Sequence, residues 1–150
     1  MKKKFSLMAL VAALLLSLSV LPASAALPDY YEPNNTFDTA YALAPNTSIA
    51  TILSNDNDRD YYKFQVGSVG PGKFFDVHLV SPSGFPYSLI ITKNGGTSVT
   101  KYQLDGGGVT GFSSYRVPIE ANTTYYFLVS QIGGPTTQDA NYFLLLGNVY

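Results

Sequence analysis

The chain has 150 residues, with nine Lys and Arg against ten Asp and Glu, and it contains no cysteine. This length supports one domain with one core, the lack of cysteine excludes a disulfide framework, and the absence of a basic stripe argues against binding nucleic acid or an anionic membrane. Twelve tyrosines, nine phenylalanines, 13 glycines and nine prolines are typical of short aromatic strands separated by turns, which is an all-β composition.

Residues 1–25 have the pattern of a cleaved signal peptide. Lysines at positions 2–4 precede an apolar run from Leu7 to Val20, and Ala23-Ser24-Ala25 follows as a small-residue cleavage box. We therefore expect secretion and a mature domain of residues 26–150. Its net charge would be 6 − 10 = −4, because cleavage removes three of the nine basic residues and no acidic one. A secreted domain without disulfides needs another means of fixing its ends, and a bound metal is a common one.

The predicted elements begin with an extended arm, residues 26–35, which Pro28 and Pro33 keep out of helix. A single helical turn is predicted over residues 36–43. Alternating or apolar runs then predict strands over residues 48–53, 60–66, 73–80, 87–93, 98–104, 110–119, 124–132 and 141–146.

Asn94-Gly95 is a strong hairpin signal, because a type I′ turn needs positive φ at both central positions. It predicts that residues 87–93 pair with residues 98–104. About eight antiparallel strands at this spacing predict a single jelly-roll-like β-sandwich preceded by an N-terminal arm.

Five of the ten acidic residues lie in two short polar segments, residues 29–36 and 54–62. Three aspartates within residues 56–60 match the first three ligand positions of an EF-hand, but Tyr61 and Gly67 stand where that loop needs glycine and glutamate. Clustered carboxylates repel each other unless they are solvated or bridged by a cation. One interpretation is that the two segments share a Ca²⁺ ion; the alternative is a solvated turn whose side chains cap backbone amides.

The chain offers little for catalysis. Asp76 and the single histidine, His78, share one strand face and could join a serine in a hydrolase triad. No serine lies in a Gly-x-Ser-x-Gly turn, however, and one histidine without cysteine cannot supply an ordinary zinc site. We predict a non-enzyme in which these two residues form a solvent-facing pair.

Two motifs can be compared with known families: Tyr-Glu-Pro-Asn-Asn-Thr at residues 31–36, followed by Thr39-Ala40, and Asp-x-Asp-Tyr-Tyr-x-Phe at residues 58–64. They resemble the bacterial pre-peptidase C-terminal domain family, which includes the collagen-binding domains of clostridial collagenases. The resemblance continues in residues 122–129 and 142–146 and so covers essentially the whole mature chain. It implies a jelly-roll sandwich with calcium held between the arm and the following turn.

The same resemblance implies a set of calcium ligands. Asn35 stands where an aspartate is common, and Tyr30 stands where collagen-binding members can have another acid, which argues against a second, adjacent ion. The implied ligands are Glu32, Asn34, Asn35, Ser54, Asp58 and Asp60, with Asp56 as a further candidate.

The tyrosines raise a second question, because they cannot all be inside. Tyrosines on a flat sheet face form good platforms for protein fibres or sugars. The alternative is that tyrosine is simply a good strand former with a solvated hydroxyl. The residues predicted for such a face are Tyr61, Tyr87, Tyr102, Tyr115 and Tyr125, with Tyr126 beside them.

Together these patterns predict a secreted, monomeric, non-catalytic module, stabilised by Ca²⁺, that binds an extracellular protein or polysaccharide. Two alternatives belong to other classes. One is a secreted effector or elicitor sensed by a host or competitor, and the other is an inhibitor or secretion partner of a separate protease.

Overall fold

The computed structural model describes residues 28–105, 111–133 and 140–150; the predicted signal peptide, residues 1–25, lies outside them. The described residues form strands, turns and bends, and they include no helix long and apolar enough to span a membrane. The strands are β1 Tyr41–Ala42, β2 Thr47–Thr51, β3 Arg59–Gln65, β4 Phe74–Val80, β5 Tyr87–Lys93, β6 Thr97–Ser98, β7 Tyr102–Asp105, β8 Phe112–Pro118, β9 Thr124–Gln131 and β10 Tyr142–Val149.

The strands form two five-stranded sheets packed face to face. Sheet A has the order β1-β3-β9-β5-β6, and sheet B has the order β2-β10-β4-β8-β7. Every pairing is antiparallel except that of β1 with β3. Successive strands alternate between the sheets except at β5–β6 within sheet A and β7–β8 within sheet B, which is close to the jelly-roll pattern. The predicted jelly-roll-like sandwich is confirmed, with an additional short β1 and with the predicted strand 98–104 divided between β6 and β7.

The core lies between the sheets and is built by strict alternation along the strands. In β3 and β4 every second side chain is buried, because a half-buried strand points alternate residues to opposite faces. Phe75 is fully buried, and its ring meets those of Phe64, Tyr125 and Phe127 edge-on at centroid distances of 5.6, 5.1 and 5.8 Å. Edge-to-face rings at such distances add to the burial of their area.

The predicted helical turn over residues 36–43 is wrong. The hydroxyls of Thr36 and Thr39 are hydrogen-bonded to each other at 2.8 Å in a short turn, and the chain then extends into β1. The amide of Leu43 donates to the carbonyl of Lys63 at 2.8 Å. The edge of β3 offers these residues backbone partners, and sheet pairing therefore wins over a single unsupported helical turn.

The predicted hairpin forms only in part. Loop residues Asn94, Gly95 and Gly96 all have positive φ, and β5 pairs with β6 at just two positions. After Ser98 the chain crosses to sheet B, where β7 pairs with β8. Val99 packs against the core at this crossing and helps to close the side of the sandwich. This crossing takes the place of the predicted pairing of residues 98–104 with β5.

The expectation that five tyrosines share an exposed face is also wrong. Tyr87 and Tyr125 are 4% and 1% exposed, because each has the inward parity of the apolar residues on its strand. Tyr115 pairs opposite inward-facing Val77 and packs against the core. Tyr61 lies on the outer side of sheet A, whereas Tyr102 belongs to β7 at the edge of sheet B.

The buried hydroxyl of Tyr125 links β9 to the end of β8. It donates to the carbonyl of Pro118 at 3.0 Å and accepts from the amide of Glu120 at 2.9 Å. We expect Tyr125→Phe to lower the free energy of unfolding by about 1–2 kcal/mol, because it leaves a half-buried backbone donor and acceptor without this partner. Urea denaturation measures the change.

The matched control is Tyr126→Phe. Tyr126 neighbours Tyr125 in the chain but points to the outer face, and its exposure is intermediate. We expect this control to change stability by less than about 0.5 kcal/mol. Equal losses in the two variants would show that the hydrogen bonds of Tyr125 contribute nothing specific.

Candidate metal centre

Four carboxylates converge at one end of the sandwich. Asp29 and Glu32 come from the N-terminal arm, Asp58 from the turn before β3, and Asp60 from β3 itself. One carboxylate oxygen from each lies within 4.8 Å of those of the other three. The predicted meeting of the two acidic segments is therefore confirmed.

The arm is held against the sandwich by specific contacts. The amide of Tyr61 donates to the carbonyl of Asn34 at 2.8 Å, and the hydroxyl of Thr51 donates to Asp29 Oδ1 at 2.9 Å. The ring of Tyr31 meets that of Tyr62 edge-on at 6.2 Å. These contacts fix the positions of the arm carboxylates relative to β3.

The turn before β3 is organised around Asp58. Its Oδ2 accepts the amide of Ser54 at 2.6 Å, and its Oδ1 accepts the amide of Arg59 at 2.8 Å. A carboxylate that caps backbone amides in this way holds its own turn in place. Asp58 is 6% exposed, so little water reaches it.

Asp60 is the most deeply buried of the four acids, at 0% exposed. Its Oδ2 accepts hydrogen bonds from the hydroxyls of Tyr62 and Tyr142, whereas its Oδ1 has no hydrogen-bond partner. Burial raises the pKa of Asp60 to about 8; the hydrogen bond from Tyr142 opposes this rise, and the charges of Asp29 and Asp58 add to it. Burial likewise raises the pKa of Asp29.

Asn34 supplies a second unusual polar group. Its side chain is 0% exposed, and neither Oδ1 nor Nδ2 has a hydrogen-bond partner. A buried amide without a partner is costly and calls for an explanation, such as an ion or an ordered water. Its backbone amide donates to Glu32 Oε2 at 2.8 Å, so Asn34 belongs to the same centre.

The charges of this centre are not balanced by protein cations. In the described part of the chain, the salt bridges join Lys93 to Glu120 and Arg116 to Asp76, and none reaches the four clustered acids. Four close carboxylates, of which those of Asp58 and Asp60 are buried, together with the orphaned oxygens of Asn34 and Asp60, are the donor set that a hard divalent cation needs.

The structure brings most of the predicted calcium ligands together and leaves one of them outside the cluster. Glu32, Asp58 and Asp60 lie in the cluster, and buried Asn34 adjoins it. Asp56 is exposed and its carboxylate lies outside the cluster. Asp60 lies in the cluster because it has the inward parity of the buried residues of β3. Asp56 lies outside it because residues 55–57 form the exposed tip of the turn.

Two other predicted ligands, Asn35 and Ser54, donate hydrogen bonds to carboxylates of the cluster. Asn35 donates through Nδ2 to both oxygens of Glu32, at 2.8 and 3.0 Å. Ser54 donates through Oγ to Asp29 Oδ2 at 3.3 Å. Both therefore position acidic groups in this structure.

Asp29 belongs to the cluster although the family resemblance did not include it. The resemblance begins at Tyr31, and Asp29 lies just before it. The sequence signal that points to Asp29 as a member of the cluster is its position at the start of the first acidic segment, residues 29–36. Its bond to Thr51, 22 residues away in the chain, is a tertiary contact that the sequence does not display.

Asp76 and His78 do not form a triad with a serine. Asp76 is bound by Arg116 at 3.0 and 3.1 Å and by the hydroxyl of Tyr150 at 2.8 Å. His78 Nδ1 is hydrogen-bonded to Ser114 Oγ at 2.7 Å, but Ser114 is only 2% exposed. The bond from Arg116 holds the pKa of Asp76 below its usual value, so the acid serves an ion pair.

Among comparisons with known proteins, the one with solved structures finds a similar architecture. No protein-family model and no curated protein sequence matches the chain. Among solved structures, the crystal structure of the pre-peptidase C-terminal domain of collagenase from Bacillus anthracis is similar, with a TM-score of 0.54 and 18% identity. The match covers 74% of this chain and 94% of that one. The protein therefore has the β-sandwich fold of a pre-peptidase C-terminal domain, as the sequence resemblance implies.

Proposed function

We propose that this chain is a secreted, non-catalytic module whose sandwich is stabilised by Ca²⁺ and which binds an extracellular protein or polysaccharide. The observation that supports it most directly is the convergence of four carboxylates from the arm and the β3 turn within 4.8 Å. The similar solved domain belongs to a collagenase, and this likeness supports an extracellular, non-catalytic role. It also supports placing the chain in that domain's family.

Calcium suits this centre better than other metals. It accepts six to eight oxygen ligands in irregular geometry, whereas Mg²⁺ requires a compact octahedron and zinc sites favour histidine and cysteine. Asp29, Glu32, Asp58 and Asp60 would supply carboxylate oxygens, and Asn34 would supply the carbonyl oxygen that has no other partner. The ion would neutralise part of their mutual repulsion and join the arm to β3.

The binding half of the proposal is tested by retention on insoluble polymers. The purified protein is mixed with collagen, cellulose, chitin and peptidoglycan in millimolar Ca²⁺ and again in EDTA. We expect retention on at least one matrix in Ca²⁺ and a loss of at least about tenfold in EDTA, because an undocked arm weakens the fold that presents the surface.

A matched pair of variants links that loss to the centre. Asp58→Asn removes one clustered acid, and Asp38→Asn removes an exposed acid outside the cluster. We expect the first to reproduce the EDTA result and the second to bind like the native protein. Retention on no matrix under either condition would contradict the binding function.

A further inference from the structure

The outer face of sheet A differs in character from the rest of the surface. It is formed by the outward residues of the three long strands β3, β9 and β5. These residues carry cationic, aromatic, aliphatic and hydroxyl groups but no carboxylate. They are Arg59, Tyr61, Lys63, Gln65, Thr124, Tyr126, Leu128, Ser130, Ser88, Ile90 and Thr92.

The two cations of this face are free of ion pairs. Neither Arg59 nor Lys63 takes part in a salt bridge in the described ranges. They lie four positions apart on β3, which separates them by about 13 Å along the strand. Tyr61 stands between them and points the same way. An anion that reached this strip would find two donors without competing carboxylates on the face.

The strip between the cations is apolar and aromatic. Leu128 lies opposite Tyr61 across the β3–β9 pairing, and Tyr126 lies opposite Lys63. Ile90, in the next strand, pairs with Leu128 and is 48% exposed. A flat apolar row bordered by charged and hydroxyl-bearing rows is suited to a ring with one apolar face and a polar edge.

Phe37 adds a raised aromatic group to this face. It comes from the turn that follows the arm, and its ring meets Tyr61 at 4.9 Å and Tyr126 at 5.0 Å, both edge-on. Phe37 therefore stands on the sheet beside the strip. Three aromatic rings from three elements meet there, and Lys63 neighbours both tyrosines, since it lies two residues after Tyr61 on β3 and opposite Tyr126 on β9.

The outer side of sheet B lacks this combination. Arg116 there is already bound to Asp76 through two hydrogen bonds, so its charge is satisfied within the protein. The exposed residues nearby, Phe143, Leu145 and Val80, are apolar. An anionic ligand is therefore complementary to sheet A and not to sheet B.

We propose that the outer face of sheet A binds an acidic polysaccharide. Its carboxylate or sulfate groups pair with Arg59 and Lys63, and its pyranose rings lie on Tyr61 and Tyr126. The hydroxyl and amide side chains at the border, Thr92, Thr124 and Gln65, face the sugar hydroxyls. This inference rests on the proposed binding function and names the class of ligand and its site.

A polysaccharide fits this face better than an acidic polypeptide. An extended peptide gains most by pairing its backbone with a free strand edge. Here β9 is paired on both sides, by β3 and by β5, so the face offers side chains and no free ladder of backbone groups. This face can therefore recognise a ligand only through side chains that contact its rings and its anionic groups.

The test is affinity electrophoresis of the purified full chain in native gels that contain Ca²⁺ and a soluble polymer. Hyaluronate is compared with its methyl ester, and dextran sulfate is compared with dextran. Each pair shares one backbone and differs in charge, so the two pairs separate carboxylate from sulfate ligands. We expect at least one charged polymer to retard the protein with an apparent Kd at least about tenfold below that of its neutral partner.

Variants locate the site. Arg59→Gln combined with Lys63→Gln should raise the Kd at least about tenfold, and Tyr61→Ala should also weaken binding. The control combines Lys73→Gln with Lys101→Gln, two exposed lysines outside this face, and changes the net charge equally. It should bind like the native protein. Melting curves in Ca²⁺ verify that every variant is folded.

Several results would overturn the inference. One is equal retardation by the charged and neutral members of both pairs, and another is an equal loss in the control variant. Binding of polyglutamate as tight as that of the charged polysaccharides would assign the face to acidic polypeptides instead. If the chain is retained on an insoluble matrix and the double variant is retained equally, the proposed function survives and this inference fails. If no polymer and no matrix binds, both fail.

Discussion

Calcium should raise the melting temperature of this protein by roughly 10 °C, and Asp60→Asn should abolish the increase. A ligand that binds only the folded state at 100 times its Kd adds about 2.7 kcal/mol to the free energy of unfolding. For a domain of this size each kcal/mol corresponds to roughly 4 °C. The measurement is a thermal melt followed by circular dichroism across a calcium titration at pH 7.5.

Asp60 is the informative residue because the hydrogen bonds from Tyr62 and Tyr142 reach only its Oδ2 and no protein cation balances its charge in the described part of the chain. It is fully buried, its Oδ1 has no hydrogen-bond partner, and no protein cation pairs with it among the described residues. Without the ion, its charge opposes folding, so a neutral isostere should melt at or above the native protein in EDTA. In calcium the order should reverse. A residue that only stabilised the fold through hydrogen bonds would not show this reversal.

The matched control is Asp56→Asn, which makes the same chemical change two residues from Asp58. Asp56 is exposed and its carboxylate lies outside the cluster. We expect it to keep nearly the full calcium response. An unchanged melting temperature in the native protein, or an equal loss in Asp56→Asn, would show that no ion is held by the four clustered acids.

The sequence predicts the centre because its main signal is local. Asp60 begins the alternation that continues with Tyr62 and Phe64, so its parity places it inside even though a lone buried acid is unfavourable. A charged residue on the inward side of a strand needs a partner, and the polar arm is rich in candidates. The sequence-based prediction rests on the clustered acids and on the two family motifs, and the inward parity of Asp60 is a further local signal that it does not use.

The positions that sequence reasoning misplaced depend on partners far away in the chain. Tyr125 is tolerated inside because the end of β8 supplies an acceptor and a donor for its hydroxyl. Tyr87 has the same parity as Leu89 on β5, so the alternation along that strand itself predicts an inward side chain. Asp29 joins the centre through Thr51 on β2, which alternation on its own strand cannot reveal.

The path of the backbone between β6 and β7 also depends on contacts with residues that are distant in the sequence. Asn94-Gly95 specifies a turn, and the turn forms. How far the two strands run together after it depends on whether Val99 gains more by continuing beside β5 or by packing against the core between the sheets. The second choice also lets β7 pair with β8 and so become the edge strand of sheet B. That competition involves the whole sandwich, so local turn chemistry cannot decide it.

Without calcium, the stability of this protein should fall as the pH rises from about 4 to about 8. The pKa of Asp60 is 3.8 in the reference state and about 8 in the folded protein, chiefly because of burial. Between these values the folded state binds a proton that the unfolded state has released. The stabilisation is therefore complete below pH 4 and is lost as the pH passes through 8.

The expected loss is large. Each unit of difference in pKa corresponds to about 1.4 kcal/mol, so Asp60 alone sets an upper limit on the order of 6 kcal/mol. The raised pKa of Asp29 acts in the same direction. Urea denaturation in EDTA at pH 5, 6, 7 and 8 measures the slope. Asp60→Asn should flatten most of it, because the amide does not titrate.

Asp76→Asn is the control for this slope. Its pKa is lowered by the hydrogen bonds from Arg116, so its contribution is present above the reference value and is lost only as the pH falls below about 4. The slope between pH 5 and 8 should therefore survive in this variant.

Saturating calcium should oppose the slope in the native protein, because the ion binds the ionised form of Asp60 and competes with the proton. The difference between the calcium and EDTA curves should widen from pH 5 to pH 8. Stability that is flat or rising over this range in EDTA would mean that water reaches Asp60 and relieves its burial. A centre so open to solvent would hold calcium weakly, so a response to millimolar calcium combined with a flat curve in EDTA would place the ion on other residues.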